Sequence, residues 1–278
     1  MSRRIERRGI SVADRLPREI PAVLRRVLLA RGIADADQLE HRLGSLIGVG
    51  RLASLPAAVD VLLRHLDNGN RITVVGDFDA DGATSTALVL RVLRLLGADV
   101  GYLVPNRFEF GYGLTPAIVD LAANDCPRLL VTVDNGISSI EGVERANALG
   151  IEVLITDHHL PGEALPAAEA IVNPNLAEDD FPSKSLAGVG VAFYLVAALA
   201  RRVGLDSATI TGLLDLVALG TVADVVPLDR NNRILVSEGL RRIRAGRCVP
   251  GIPALMNEAE RDWRSIVATD LGFAVAPR

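Results

Sequence analysis

Residues 71–97 read RITVVGDFDADGATSTALVLRVLRLLG. A short β-branched apolar run is followed by three acids at every second position, Asp77, Asp79 and Asp81, then by Gly82. Apolar positions at helical spacing come next and stop at Gly97. On paper the acids open a calcium loop. The twelfth position of such a loop needs a bidentate glutamate, and here it is Leu88. A calcium loop also follows a helix, whereas RITVV reads as a strand. The calcium reading fails, which leaves a strand ending in carboxylates followed by a helix expected to start near Thr84. The first amides of that helix should face the same edge and be open to phosphate oxygens.

The same rhythm continues outward. DVGYLV (99–104), RLLVTV (128–133) and IEVLIT (151–156) read as strands, and LTPAIVDLAAN and SSIEGVERANALG read as the helices between them. Alternation of this kind predicts an α/β fold with a parallel β-sheet flanked by helices. Amphipathic stretches REIPAVLRRVLLARG, DADQLEHRLG and LPAAVDVLLRHL predict a helical N-terminal segment over 1–69. Residues 70–230 form the expected catalytic domain, and 231–278 a helical connector toward a further domain. GVGVAF (188–193) lacks the third glycine of a dinucleotide fingerprint and reads as a close-packed helix start.

Three of the strand-like runs end in an acid: Asp77, Asp134 and Asp157, the last followed by His158 and His159. In a parallel sheet these ends share one edge, where open α/β folds bind ligands. Asp224, in ALGTVADVVPL, is a further acid among apolar neighbours. A lone acid after a strand is ordinarily a turn or a cap, but several on one edge repel each other unless a cation neutralises them. Oxygen donors with an imidazole suit Mn²⁺ or Mg²⁺. Two such ions roughly 3.5–4 Å apart are a device for phosphoester hydrolysis.

Composition bounds the rest. The chain has 278 residues, 49% of them hydrophobic, which excludes global disorder. Its longest apolar run, VAFYLVAALA, is too short to span a bilayer, and the charged start is no signal peptide. With only Cys126 and Cys248 there is no thiolate cluster. A cytoplasmic protein without membrane attachment is expected. The net charge of −4 conceals basic flanks, with ten Arg against six acids in residues 1–50 and nine against five in 230–278. An acidic centre with basic flanks fits a metal site beside surfaces that meet phosphate, although solvated helix faces would look the same.

GDFDADGATST, VPNRFEFGYGLT, VTVDNGISS and ITDHHLPG, in that order, resemble the motifs of the DHH phosphoesterase superfamily, which is named for a triplet matching Asp157-His158-His159. AIVNPNL, FPSKSLAGVGVAFYL, LLDLVALGTVADVVPLDRNNR and RIRAG narrow the resemblance to its single-strand-specific 5′→3′ DNA exonucleases, from about residue 15 onward. That resemblance implies two divalent ions, Mn²⁺ or Mg²⁺. Asp79, Asp81, Asp134, His158 and Asp224 match metal ligands, and Asp77 is a carboxylate reaching metal directly or through water. Asp81 and Asp134 are expected to be catalytic, with His159 as partner of the reacting phosphate and Asp157 orienting its histidine neighbours. Arg107 is the expected phosphate contact and Tyr112 a stacking or loop-positioning residue, with Gly111 and Gly113 permitting the tight backbone. Phe110 stands where relatives often carry a polar or acidic residue.

Such exonucleases continue into a DHH-associated domain and an oligonucleotide-binding barrel, so a fragment weak in DNA binding is expected. Single-stranded DNA is the implied substrate, with repair helicases and a single-strand-binding protein as implied partners, and a monomer is expected. The alternatives are a superfamily phosphoesterase for short oligonucleotides, cyclic dinucleotides or pyrophosphate, and a nucleic-acid-binding scaffold with a degenerate site. Against the scaffold, every candidate ligand position holds an acid or a histidine.

Overall fold

The computed structural model describes residues 6, 9, 10 and 12–278. Five strands run Ile72–Gly76 (β1), Val100–Leu103 (β2), Leu129–Val133 (β3), Glu152–Thr156 (β4) and Ala170–Val172 (β5). The helices before and between them are Ala22–Leu29 (α1), Leu55–Asp67 (α2), Ala80–Leu95 (α3), Arg107–Phe110 (α4), Pro116–Ala123 (α5) and Ile140–Ala148 (α6). After β5 come Gly188–Arg202 (α7), Ser207–Thr211 (α8), Leu214–Ala223 (α9), Arg230–Arg244 (α10), Gly251–Glu258 (α11) and Ala268–Asp270 (α12).

The sheet is parallel throughout, in the order β2-β1-β3-β4-β5. Every residue of β1 and β3 is buried, as a sheet covered on both faces requires. One face packs Val75, Leu130, Val153 and Ile155 against Ile118 and Val119 of α5 and Val143 and Ala146 of α6. The other is covered by α3 and α7, which also pack against α9. The strand order reverses between β1 and β3, and an open α/β sheet offers its ligand crevice at such a point.

Register decides what lies there. Gly76 pairs with Val133, and Val133 with Thr156. One residue further along each strand therefore stand Asp77, Asp134 and Asp157, in a single layer at the C-terminal edge. Asp134 and Asp157 extend the ladder, their amides donating to the carbonyls of Thr156 and Val172 at 3.0 Å each.

Three sequence expectations are corrected. The four strands become five, because AIV at 170–172 is too short to show a period. DADQLEHRLG forms two short 3₁₀ turns, Ala36–Leu39 and Leu43–Ser45, in place of an α-helix. The third concerns α3, which begins at Ala80 and not near Thr84. Its N-cap is Asp79, whose Oδ1 accepts the amides of Asp81 and Gly82 at 3.0 Å each. These amides are already satisfied, so they are not open to a phosphate.

The chain forms two compact units, Met1–Ser45 and Leu46–Arg278. The smaller holds α1 and an apolar cluster of Leu16, Leu29, Ile33 and Ala34. Arg15 forms an ion pair with Asp35 inside it. The helical segment expected over 1–69 begins partly outside the described residues, and α2 belongs to the larger unit. Among the described residues no single helix is long and apolar enough to cross a membrane.

Candidate metal centre

Six carboxylates meet at the β1/β3 edge. Asp81, 1% exposed, is held by the start of α7: the amides of Gly188 and Val189 donate to its Oδ2 and Oδ1 at 2.7 and 2.8 Å. A helix N-terminus favours a carboxylate through its free amides and its dipole. Each oxygen of Asp81 keeps a lone pair for a further partner. Burial first, then the charges of Asp134 and Asp224, hold this carboxyl well above the ordinary range. GVGVAF is thus a close-packed helix start with a role: a Cβ on Gly188 would lie 2.5 Å from Asp134 Oδ1. Gly220 of α9 is equally constrained, since its Cβ would lie 2.8 Å from Asp81 Oδ1.

Asp134 sits at φ +62°, a left-handed conformation that aspartate tolerates better than most residues. Its carboxyl is pushed up to about 9 by burial, then by Asp79, Asp224 and Asp157. Its Oδ1 is buried without a hydrogen-bond partner, and so is Nε2 of His158. The two atoms are 3.2 Å apart, and Asp224 Oδ2 lies 3.6 Å from the same nitrogen. Asp224 caps the C-terminal end of α9, where a negative charge opposes the helix dipole. Local helix stability therefore does not account for its position.

Three groups of donors lie within 4.8 Å of one another: Asp81, His158 and Asp224; Asp77, Asp79 and Asp134; and Asp134, His158 and His159. The third joins the first two through Asp134 and His158.

Asp157 is hydrogen-bonded to both histidines that follow it. Its Oδ1 accepts from the amides of His158 and His159 and pairs with His159 Nδ1 at 2.7 Å. Its Oδ2 accepts from the Ile137 amide at 2.8 Å. Burial works against its charge, but these hydrogen bonds outweigh it and the carboxyl lies below its ordinary value. The hydrogen bond to Asp157, in turn, raises His159 and favours its cation. The His159 side chain is 46% exposed. The Tyr112 hydroxyl lies 3.3 Å from its Nδ1.

Arg107 and Asp77, expected to serve phosphate and metal separately, are joined at 2.5 Å. The other oxygen of Asp77 accepts the Phe78 amide at 2.7 Å. The Arg107 guanidinium lies 4.2 Å above the Phe78 ring and 5.2 Å from that of Tyr112. Gly111 and Gly113 both have positive φ, so the loop between α4 and α5 turns where side-chain-bearing residues would be strained.

Sequence reasoning missed four contributors. Asn173 and Asn175, just after β5, donate to the carbonyls of His159 and His158 at 2.9 and 2.6 Å. They fix the double-histidine turn, and NPN after a β-branched run was the available signal. The amides of Gly188 and Val189 had no signal, because they reach Asp81 across more than a hundred residues of chain.

This strand-end layer belongs to a family of known pattern. Residues 71–221 match the model of the DHH family, N-terminal domain, and the chain belongs to that family. It is 54% identical to the single-stranded-DNA-specific exonuclease RecJ of Escherichia coli K12, over 99% of this chain and 49% of that protein. With RecJ of Thermus thermophilus it shares 42% identity, over 89% of this chain and 35% of that one. The chain thus spans about half the length of the first of these relatives and less of the second. Among solved structures it resembles exonuclease RecJ bound to manganese, with TM-score 0.75 and 39% identity, over 83% of this chain and 57% of that one. The Mg²⁺ complex of the Thermus thermophilus protein matches with TM-score 0.64 and 33% identity, over 90% of this chain and 32% of that one.

Proposed function

We propose that this protein hydrolyses single-stranded DNA from its 5′ end with two divalent ions, Mn²⁺ or Mg²⁺, releasing 5′-mononucleotides in DNA repair and recombination. The observation that carries the reading is the pair of donor groups joined through Asp134 and His158 at the switch point of the sheet. The residues fit such ions. Two lone-pair atoms, Asp134 Oδ1 and His158 Nε2, are buried and unpartnered, and the donors are oxygens with one imidazole. Asp81, His158 and Asp224 would hold one ion and Asp79 and Asp134 the other, with Asp134 within reach of both. Asp77, engaged by Arg107 and Phe78, is the weakest ligand of the set. When bound, the ions supply a hydroxide at neutral pH and offset charge on the reacting phosphate.

The protein's own groups do the rest. His159, anchored on Asp157 and exposed, offers a cation to the phosphate. Arg107 is the further phosphate contact, since its Nε is buried without a partner and a phosphate oxygen can compete with Asp77 for the guanidinium. Tyr112 and the turn at Gly113 position that loop over the edge. Identity to the RecJ relatives supports single-stranded DNA as substrate, and residues 70–230 as the catalytic domain. Repair helicases and a single-strand-binding protein are the partners this reading implies, for a monomer in the cytoplasm.

End-labelled single-stranded DNA incubated with the protein and Mn²⁺ should release mononucleotides from the 5′ end. Asp81→Ala should lower the rate by about 10³-fold or more, the scale of losing a group that offsets transition-state charge. Equal rates for variant and parent would sink the metal assignment, and preferential cleavage of dinucleotides would point to a small-substrate phosphoesterase.

A further inference from the structure

A second concave site lies at the other end of α3. Its 730 Å³ cavity is bounded by the C-terminal turn of α3, by α8 and by the segment joining α10 to α11. Arg91, Arg94, Arg242 and Arg247 line it, and no acid does. Arg94 stands fifteen residues beyond Asp79, which is about 20 Å along a helix at 1.5 Å per residue. The Arg94 end of the cavity is therefore removed from the metal centre, although a neighbouring hollow that shares Arg91, Val249 and Pro250 with it reaches Asp79.

The four arginines differ from most others in the larger unit. Arg64, Arg71, Arg107, Arg145 and Arg241 all form ion pairs. Among the described residues the cavity arginines form none, and Nε of Arg242 is buried without a hydrogen-bond partner. The acid that feels the charge of Arg242 is Asp215, which is fully buried, and its carboxylate accepts the amides of Leu216 and Val249. Arg94 and Arg242 sit in the last turns of α3 and α10, where positive charge is favoured by the helix dipole. That explains why they are basic, but not why four unpaired guanidinium groups share one concavity. Pro250, the N-cap of α11, also lines the cavity.

We infer that this cavity is a second anion site, shaped to hold the phosphate of a nucleotide-sized ligand. Its volume falls in the range of small-molecule sites, which is about 300–1,000 Å³. A single guanidinium can bind phosphate through two parallel hydrogen bonds, while Leu95 and Leu213, which also line the cavity, offer apolar contact for a base or sugar. A free nucleotide and a nucleotide within a strand present the same phosphate, and the test separates them.

Binding is measured calorimetrically on the intact protein in chelator, which removes any contribution from divalent ions. The ligands are thymidine 5′-monophosphate, thymidine, inorganic phosphate and a short oligothymidylate. Thymidine monophosphate or the oligonucleotide should bind, and thymidine should not. Paired Arg94→Glu and Arg247→Glu substitutions, both at exposed positions, should weaken binding at least about 10-fold with an unchanged melting curve. Arg128→Glu, exposed and outside the cavity, should change it less than about 2-fold. Binding by the oligonucleotide alone, lost in the paired variant, identifies the strand as the source of the phosphate. No binding by any phosphate-bearing ligand overturns the inference. So does equal weakening by Arg128→Glu, which would mark diffuse attraction. Because no turnover is measured, failure here leaves the proposed hydrolysis untouched, and failure of the hydrolysis leaves this site untouched.

Discussion

Asp134→Asn is expected to lower Mn²⁺-dependent hydrolysis by about 10³-fold or more while raising the melting temperature of the metal-free protein. Both effects have one cause. Asp134 is 2% exposed and surrounded by Asp79, Asp224 and Asp157, and its carboxyl is pushed up to about 9. In the unfolded chain it titrates near 3.9. Between those values the folded protein holds a proton that the unfolded chain has released. Its contribution therefore destabilises the metal-free fold progressively as pH rises from about 4 to about 9. Asparagine carries no such proton, keeps the shape and tolerates the positive φ at this position. The variant should thus gain most at pH 8 and nothing near pH 4.

In the parent Asp134 would have to release that proton to hold a metal ion, so the thermal shift produced by Mn²⁺ should grow between pH 6 and pH 8.5. Thermal melts across this range, with and without Mn²⁺, check both statements. A variant as active as its parent, or one destabilised at pH 8, contradicts the account of Asp134.

Gly188→Ala should damage the metal centre directly, because its methyl would press on a candidate ligand. The added methyl would stand 2.5 Å from Asp134 Oδ1 and 2.6 Å from its Cβ. Asp134 cannot simply withdraw, because its amide is bound to Thr156 and its backbone is already in an unusual region. The start of α7 must move instead, loosening the amides of Gly188 and Val189 from Asp81. Overpacking of this kind costs about 1–3 kcal/mol, and a 1 Å displacement of a reacting group costs about 10² in rate. The expected result is a folded protein with a lower melting temperature and a hydrolysis rate down by about 10² or more. Gly190→Ala is the control, since its Cβ would press on the Leu186 side chain, with Cδ2 at 3.0 Å and Cβ at an ordinary 3.5 Å, and not on Asp134. Equal effects of the two substitutions would mean that the contact with Asp134 is unimportant.

Much of this site was legible in the sequence because it is built from strand ends. Apolar β-branched runs that stop at Asp77, Asp134 and Asp157 announce both a parallel sheet and the edge where its side chains gather. Register then aligns the acids without further instruction. Asp224 was visible as an acid among apolar neighbours, although its place at the end of α9 was not.

What could not be read depends on pairings distant in sequence or on caps that hide among other signals. Asp79 looks like one more ligand in GDFDADG, yet one of its oxygens closes the first turn of α3. That capping moves the start of the helix and removes the phosphate cradle expected there. Asp77 and Arg107 each carry a plain chemical label, and nothing local says that they will pair with each other. The short strand β5 is defined by its neighbour β4 and not by its own three residues.

On the proposed reading Asp134, at the end of β3, would be a ligand shared by two divalent ions. Crystals of the protein grown with Mn²⁺ and measured at the manganese absorption edge test it directly. The account predicts two anomalous peaks roughly 3.5–4 Å apart, both beside Asp134, one also touching Asp81, His158 and Asp224 and the other Asp79. A single peak, or peaks that leave Asp134 without a metal neighbour, would contradict it.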